Sequence, residues 1–231
     1  NSNDENMYEK IRDSLYEIKT ERPSCTSYLI LDEQKNILID PGLYQKFDML
    51  KENIEEIGIK IEDIDIVLNT HEHYDYFGAN KYFQNTAIIM AYKLASTKII
   101  NADNEIINCR CNNENPDGFQ IHVGLENNNV IEVGNWTLKV LYTPGHTSGS
   151  VCYYEEEKRI LFTGDTVYAK GTISDLSYSG NYGSYIKSLN TLNSLKVDTM
   201  LPGHGAISTD VEEDLNKAIL NATRRYEGMT Q

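Results

Sequence analysis

The stretch Thr70-His71-Glu72-His73-Tyr74-Asp75-Tyr76-Phe77-Gly78 constrains this chain more than any other. Two histidines and an aspartate recur at every second position, directly after the apolar run at 64–68. Imidazole and carboxylate are ordinary ligands of zinc and iron. A strand that ends in such a cluster holds its ligands at the rim of a sheet, so the rest of the chain must bring further ligands to that rim.

Five histidines occur in the 231 residues, and four of them follow the same kind of segment. His71 and His73 come after Ile66-Val67-Leu68-Asn69-Thr70, His146 after Val140-Leu141-Tyr142-Thr143-Pro144-Gly145, and His204 after Met200-Leu201-Pro202-Gly203. Asp165 follows Ile160-Leu161-Phe162-Thr163-Gly164 in the same manner. One histidine after a strand is ordinarily structural; the repetition is what points to ligands. If these strands run in related directions, His71, His73 and His146 form a three-imidazole set for a tetrahedral zinc with one open position, the catalytic arrangement. Asp75, Asp165 and His204 then offer a second, more oxygen-rich site if Asp165 bridges two ions about 3.5–4 Å apart. His122 lies in a polar stretch and reads as structural.

The hydrophobic pattern predicts where these motifs sit. Residues 1–13 are polar, with weak helical character at best, and 14–20 alternates like an edge strand. Segments 27–31 and 36–40 read as a hairpin across Asp32-Glu33-Gln34-Lys35, closed by Asp40-Pro41-Gly42. Leu43, Phe47, Leu50, Ile54 and Ile57 share one helical face, with Gly58 as the cap. A strand at 64–68, a helix starting at 80–84, a strand at 87–90 and a helix at 92–100 follow. Residues 101–129 are asparagine-rich and aperiodic, a polar insertion. Strands return at 130–133, 136–142, 150–154 and 159–162. A helix at 184–195 and a short strand at 199–201 come next, then a last helix with Val211, Leu215, Ile219 and Ala222 on one face, capped by Ser208 or Thr209. Both halves run from strands to helices, which suggests two β-then-α layers facing each other within a single domain spanning 1–231.

A net charge of −14 argues against partners with a phosphate backbone, so no nucleic-acid role is expected. No apolar run approaches the roughly 18 residues that a membrane span requires. The start Asn-Ser-Asn-Asp-Glu-Asn has neither a basic nor an apolar segment, so the expected location is cytoplasmic. Cys25, Cys109, Cys111 and Cys152 match no metal knuckle or CxxC pair and are expected to be reduced thiols; only the Cys109/Cys111 pair could have a minor redox role.

Taken together, IDPG at 39–42, THEHYDYFG at 70–78, TPGHTSGS at 143–150, FTGDTVY at 162–168 and LPGHG at 201–205 resemble the metallo-β-lactamase-fold hydrolases, particularly the glyoxalase II-like and lactonase-like members. The resemblance implies an α/β fold, a four-layer αββα sandwich with the metal site at one edge of the two sheets. It implies that His71, His73 and His146 bind one metal, that Asp75 and His204 bind another, that Asp165 bridges, and that Asp40 supports the site from behind. The implied cofactor is zinc, one or two ions, with iron or manganese an option at the second site.

The chain departs from the family pattern at Tyr76, where H-x-H-x-D-H ends in histidine. That change leaves several outcomes open. The second site is weak or empty, or Tyr76 ligates as a phenolate. Alternatively it donates a hydrogen bond to a developing oxyanion, or it simply packs beneath the site. The expected activity is hydrolysis of a small-molecule ester, thioester or lactone through a metal-bound hydroxide, with Asp75 and Tyr76 as the catalytic side chains. The alternatives are a mononuclear iron enzyme that oxidises persulfides and a metal-binding domain without catalysis. A homodimer is compatible with the sequence. The short stretch after His204 disfavours a true glyoxalase II, and the tyrosine-rich segment 168–185 either lines the pocket or packs.

Overall fold

The computed structural model describes residues 7–109 and 114–227. Among these, two β-sheets form. The first holds β1 (Tyr8–Arg12), β2 (Leu15–Lys19), β3 (Thr26–Leu31), β4 (Asn36–Ile39), β5 (Ile66–Leu68), β6 (Ile88–Tyr92) and β7 (Val123–Leu125), side by side in chain order. The second runs β12 (Thr199–Pro202), β11 (Ile160–Gly164), β10 (Val151–Glu155), β9 (Trp136–Tyr142) and β8 (Val130–Val133). The helices are α1 (Phe47–Ile57), α2 (Tyr74–Phe77), α3 (Lys93–Ile100), α4 (Asn104–Ile107), α5 (Tyr182–Asn193) and α6 (Val211–Tyr226).

Successive side chains of a strand point to opposite faces, and here both faces are covered. Tyr28, Ile30, Ile37, Ile39, Ile66 and Leu68 of the first sheet meet Trp136, Leu138, Val140, Val151, Tyr153 and Phe162 of the second. The alternate positions Ile18, Leu29, Leu38, Val67 and Ile89 pack outward with Phe47, Leu50 and Ile54 of α1. On the far side Leu141, Cys152, Tyr154 and Leu161 pack with Leu189 and Leu192 of α5 and with Leu215, Ala218 and Ala222 of α6. The order of layers is therefore αββα. Each fully buried aliphatic side chain in these interfaces contributes about 1.5–3 kcal/mol relative to exposure.

Strand direction sets the position of the site. Strands β4 and β5 are parallel, and so are β11 and β12. Strand β9 is antiparallel to β10, which is antiparallel to β11, so β9, β11 and β12 also share a direction. The ends of β4, β5, β9, β11 and β12 lead into Asp40, His71, His146, Asp165 and His204, respectively.

Some local expectations need correction. Part of the polar N-terminal segment is a strand: β1 pairs with β2 along Tyr8–Ile18 and Lys10–Tyr16, so its backbone groups are satisfied by the sheet despite weak local preference. The region at 80–84 is a 3-10 turn, Gly78–Tyr82, not the start of a long helix. The stretch 101–129 is only partly irregular, for it supplies α4 and adds β7 to the first sheet beside β6. His122 there has a structural role, its Nδ1 accepting the Ile89 N–H at 2.9 Å. The last helix has Asp210 at its N-cap, because the Ser208 hydroxyl instead donates to Asp214 at 2.6 Å. Cys25, Cys109 and Cys152 are buried, and Cys111 lies outside the described residues. No helix among the described residues is long and apolar enough to cross a membrane.

Candidate metal centre

The turn after β5 delivers His71 and His73 to the rim, and α2 places Asp75 and Tyr76 just beyond them. The imidazoles of His71, His73 and His146 face one another with ring centroids 4.9–5.2 Å apart. Asp165 completes the group: its Oδ2 lies 3.4 Å from His71 Nε2 and 3.4 Å from His146 Nε2. One nitrogen from each histidine and one Asp165 oxygen all fall within 4.8 Å of one another, and all four residues are buried. Asp75 and His204, both partly exposed, form an adjoining group with the buried Asp165, His204 Nε2 lying 3.8 Å from Asp75 Oδ2 and 3.7 Å from Asp165 Oδ1.

Two of the histidines, His71 and His146, are held by partners on their far sides. His146 Nδ1 donates to the Asp175 carbonyl at 2.6 Å, which leaves Nε2 turned to the centre. The Thr70 hydroxyl donates to Asp40 Oδ2 at 2.8 Å, so at 3.0 Å it can only accept from His71 Nδ1. His71 Nε2 is thereby left as the inward acceptor. Asp40 also accepts the Thr70 N–H at 2.8 Å and has the uncommon positive φ of 55°. Such outer partners fix tautomer and orientation in metal sites.

The electrostatics suit a cation. Burial, followed by the neighbouring His71 and His146, pushes His73 well below its ordinary pKa. His146 is pushed down by burial but raised on balance by Asp165. Asp165 itself, despite burial, is held well below the carboxylate range by His146 and His71. His71 Nε2 is buried without a hydrogen-bond partner, while His73 Nδ1 and His146 Nε2 face each other at 3.1 Å. Nitrogen lone pairs crowded in this way are costly unless a proton or a metal ion is shared among them. Three imidazoles and a carboxylate match the donors that zinc takes.

Several contributing residues were not singled out by the spacing of the sequence. Thr70 and Asp175 act through a hydroxyl and a carbonyl, and Asp175 is an ordinary loop position in the sequence. Tyr168 and Tyr76 both donate to Asp165 Oδ1, Tyr168 at 2.5 Å. The tyrosine-rich segment therefore divides: Tyr168 reaches the site, Tyr185 is buried against Tyr226, and Tyr178 is exposed.

The family model described as the metallo-beta-lactamase superfamily matches residues 21–204. A protein of Methanocaldococcus jannaschii named as a probable metallo-hydrolase is 35% identical over 194 residues, covering 80% of this chain and 89% of its own. A hydroxyacylglutathione hydrolase of Pelagibacter ubique is 32% identical over 167 residues, covering 70% and 59%. The acyl-coenzyme A thioesterase MBLAC2 of Homo sapiens is 27% identical over 203 residues, covering 77% and 71%. Among solved structures, a metallo-beta-lactamase family protein from Thermus thermophilus superposes with a TM-score of 0.82 at 19% identity, covering 95% of this chain and 83% of that one. The cluster of possible metal donors, the fold and the sequence agree: the chain belongs to the metallo-β-lactamase superfamily and stands with its glyoxalase II-like hydrolases.

Proposed function

We propose that this chain is a metal-dependent hydrolase of thioesters, with zinc as the ion and His71, His73, His146 and Asp165 as its ligands. The observation that carries the reading is the convergence of one nitrogen from each of three imidazoles and one Asp165 oxygen within 4.8 Å of one another, with His71 Nε2 buried and lacking a hydrogen-bond partner. When bound, zinc supplies a Lewis acid and a water whose pKa is lowered to about 7.

The protein side chains divide the remaining work. Asp75 and His204, about a third exposed, stand beside the buried cluster. Asp75 orients the attacking water and accepts its proton. His204 is pushed down by burial, but Asp75 and Asp165 raise it on balance above the ordinary imidazole value, so the pair favours its protonated form. The reaction consumes one water, breaks the carbonyl–sulfur bond and yields a carboxylate and a thiol. A thiol of ordinary pKa about 8.5 departs readily as the thiolate, so thioester cleavage asks less of an acid than ester cleavage does. The names of the Pelagibacter and human relatives support the thioester class.

The test is a panel of acyl-coenzyme A, S-acylglutathione, lactone and simple ester substrates, run with and without chelator. Thioester turnover that is lost on chelation and restored by zinc is the expected result. Turnover unaffected by metal removal, or none on any thioester, overturns the reading.

A further inference from the structure

Asp165 treats its two oxygens differently. Oδ2 faces His71 and His146 at 3.4 Å each. Oδ1 receives the hydroxyls of both Tyr76 and Tyr168. A carboxylate oxygen has two lone pairs in its plane, and two donors use both. Tyr76 is wholly buried, and its hydroxyl reaches Asp165 from within the core.

We propose that Tyr76, acting with Tyr168, occupies Asp165 Oδ1 and so limits this chain to one metal ion, held by His71, His73, His146 and Asp165 Oδ2. Asp75 and His204 remain as a metal-free carboxylate–imidazole pair. A bridging role would require Asp165 Oδ1 to point a lone pair at a second ion. With both taken, the adjoining group offers only Asp75 and His204, fewer than the three protein ligands of a stable catalytic zinc. Tyr76 also stands at the motif position where the family pattern H-x-H-x-D-H has its last histidine. The inference uses the metal reading proposed above but not its substrate.

The test counts ions rather than turnover. Full-length protein is stripped with chelator, titrated with zinc and desalted, and zinc per chain is measured alongside the calorimetric titration. Wild type is expected to retain one ion. Tyr76→His, which supplies a nitrogen and removes the phenol, is expected to retain two. Tyr76→Phe, which frees one lone pair of Oδ1, is expected to show a second, weaker binding phase, and it serves if the histidine variant does not fold. Two ions of comparable affinity in wild type overturn the inference while leaving a metallo-hydrolase intact. Binding of one ion only in both folded variants overturns it as well. Retention of no ion by wild type sinks the metal reading itself. A visible charge-transfer band on ferric loading that is absent from Tyr76→Phe identifies Tyr76 as a phenolate ligand and also overturns the inference.

Discussion

The hydroxyl of Tyr76 lies where a Cβ on Gly203 would have to be. The glycine in Leu201-Pro202-Gly203-His204 thus has a specific use: it opens the space that lets the tyrosine of the first motif reach Asp165. Gly203 is fixed on both sides, its N–H donating to the Gly164 carbonyl at 2.8 Å and its carbonyl accepting from Thr26 N–H at 2.8 Å. It cannot move away from a larger neighbour without breaking these contacts. Gly203→Ala is therefore expected to cost about 1–3 kcal/mol of stability. In a Tyr76→Ala background the same substitution should cost much less, which a double-mutant cycle of urea denaturation measures. Equal costs in both backgrounds would show that the two residues do not compete for space.

Thr70 links Asp40 to His71, because its hydroxyl donates to Asp40 and faces His71 Nδ1. Thr70→Ala removes that link without touching a ligand atom. Zinc affinity is expected to fall by about 10–100-fold, as for other outer partners of metal ligands. Titration against a competing chelator reads the change directly. Unaltered affinity would mean that packing alone orients His71.

Burial raises Asp40 from 3.8 to about 7, and His71 and Thr70 only partly offset it. The native state of the metal-free protein then keeps a proton that the unfolded chain has released, throughout the interval between those values. The contribution of Asp40 is consequently greatest below about pH 4 and falls as pH rises toward about 7, by at most about 4 kcal/mol. Asp40→Asn should flatten this part of the profile. Urea midpoints of metal-free wild type and variant at pH 4.5 and 7.5 provide the check, and parallel profiles would reject it.

The residues of the rim were legible in the sequence because each motif is local. His71, His73 and Asp75 lie within five positions, and His146, Asp165 and His204 each follow a short apolar or alternating run that reads as a strand. The helices α1 and α6 were equally plain from their apolar faces. Strand β1 was not, since its polar residues are exposed at a sheet edge and only pairing with β2 makes it a strand.

What the sequence by itself determined was which side chains could serve as ligands and which segments would be buried, since both depend on residue type and short-range period. The tertiary structure alone decided what each of these side chains touches. Asp165 meets Tyr76 across 89 positions of chain, and His146 meets the Asp175 carbonyl across 29. Such contacts depend on how two sheets pack and which way strands run, and no local pattern encodes them. Tyr76 was visible as a departure from the motif, but its hydrogen bond to Asp165 exists only because β5 and β11 end at the same rim.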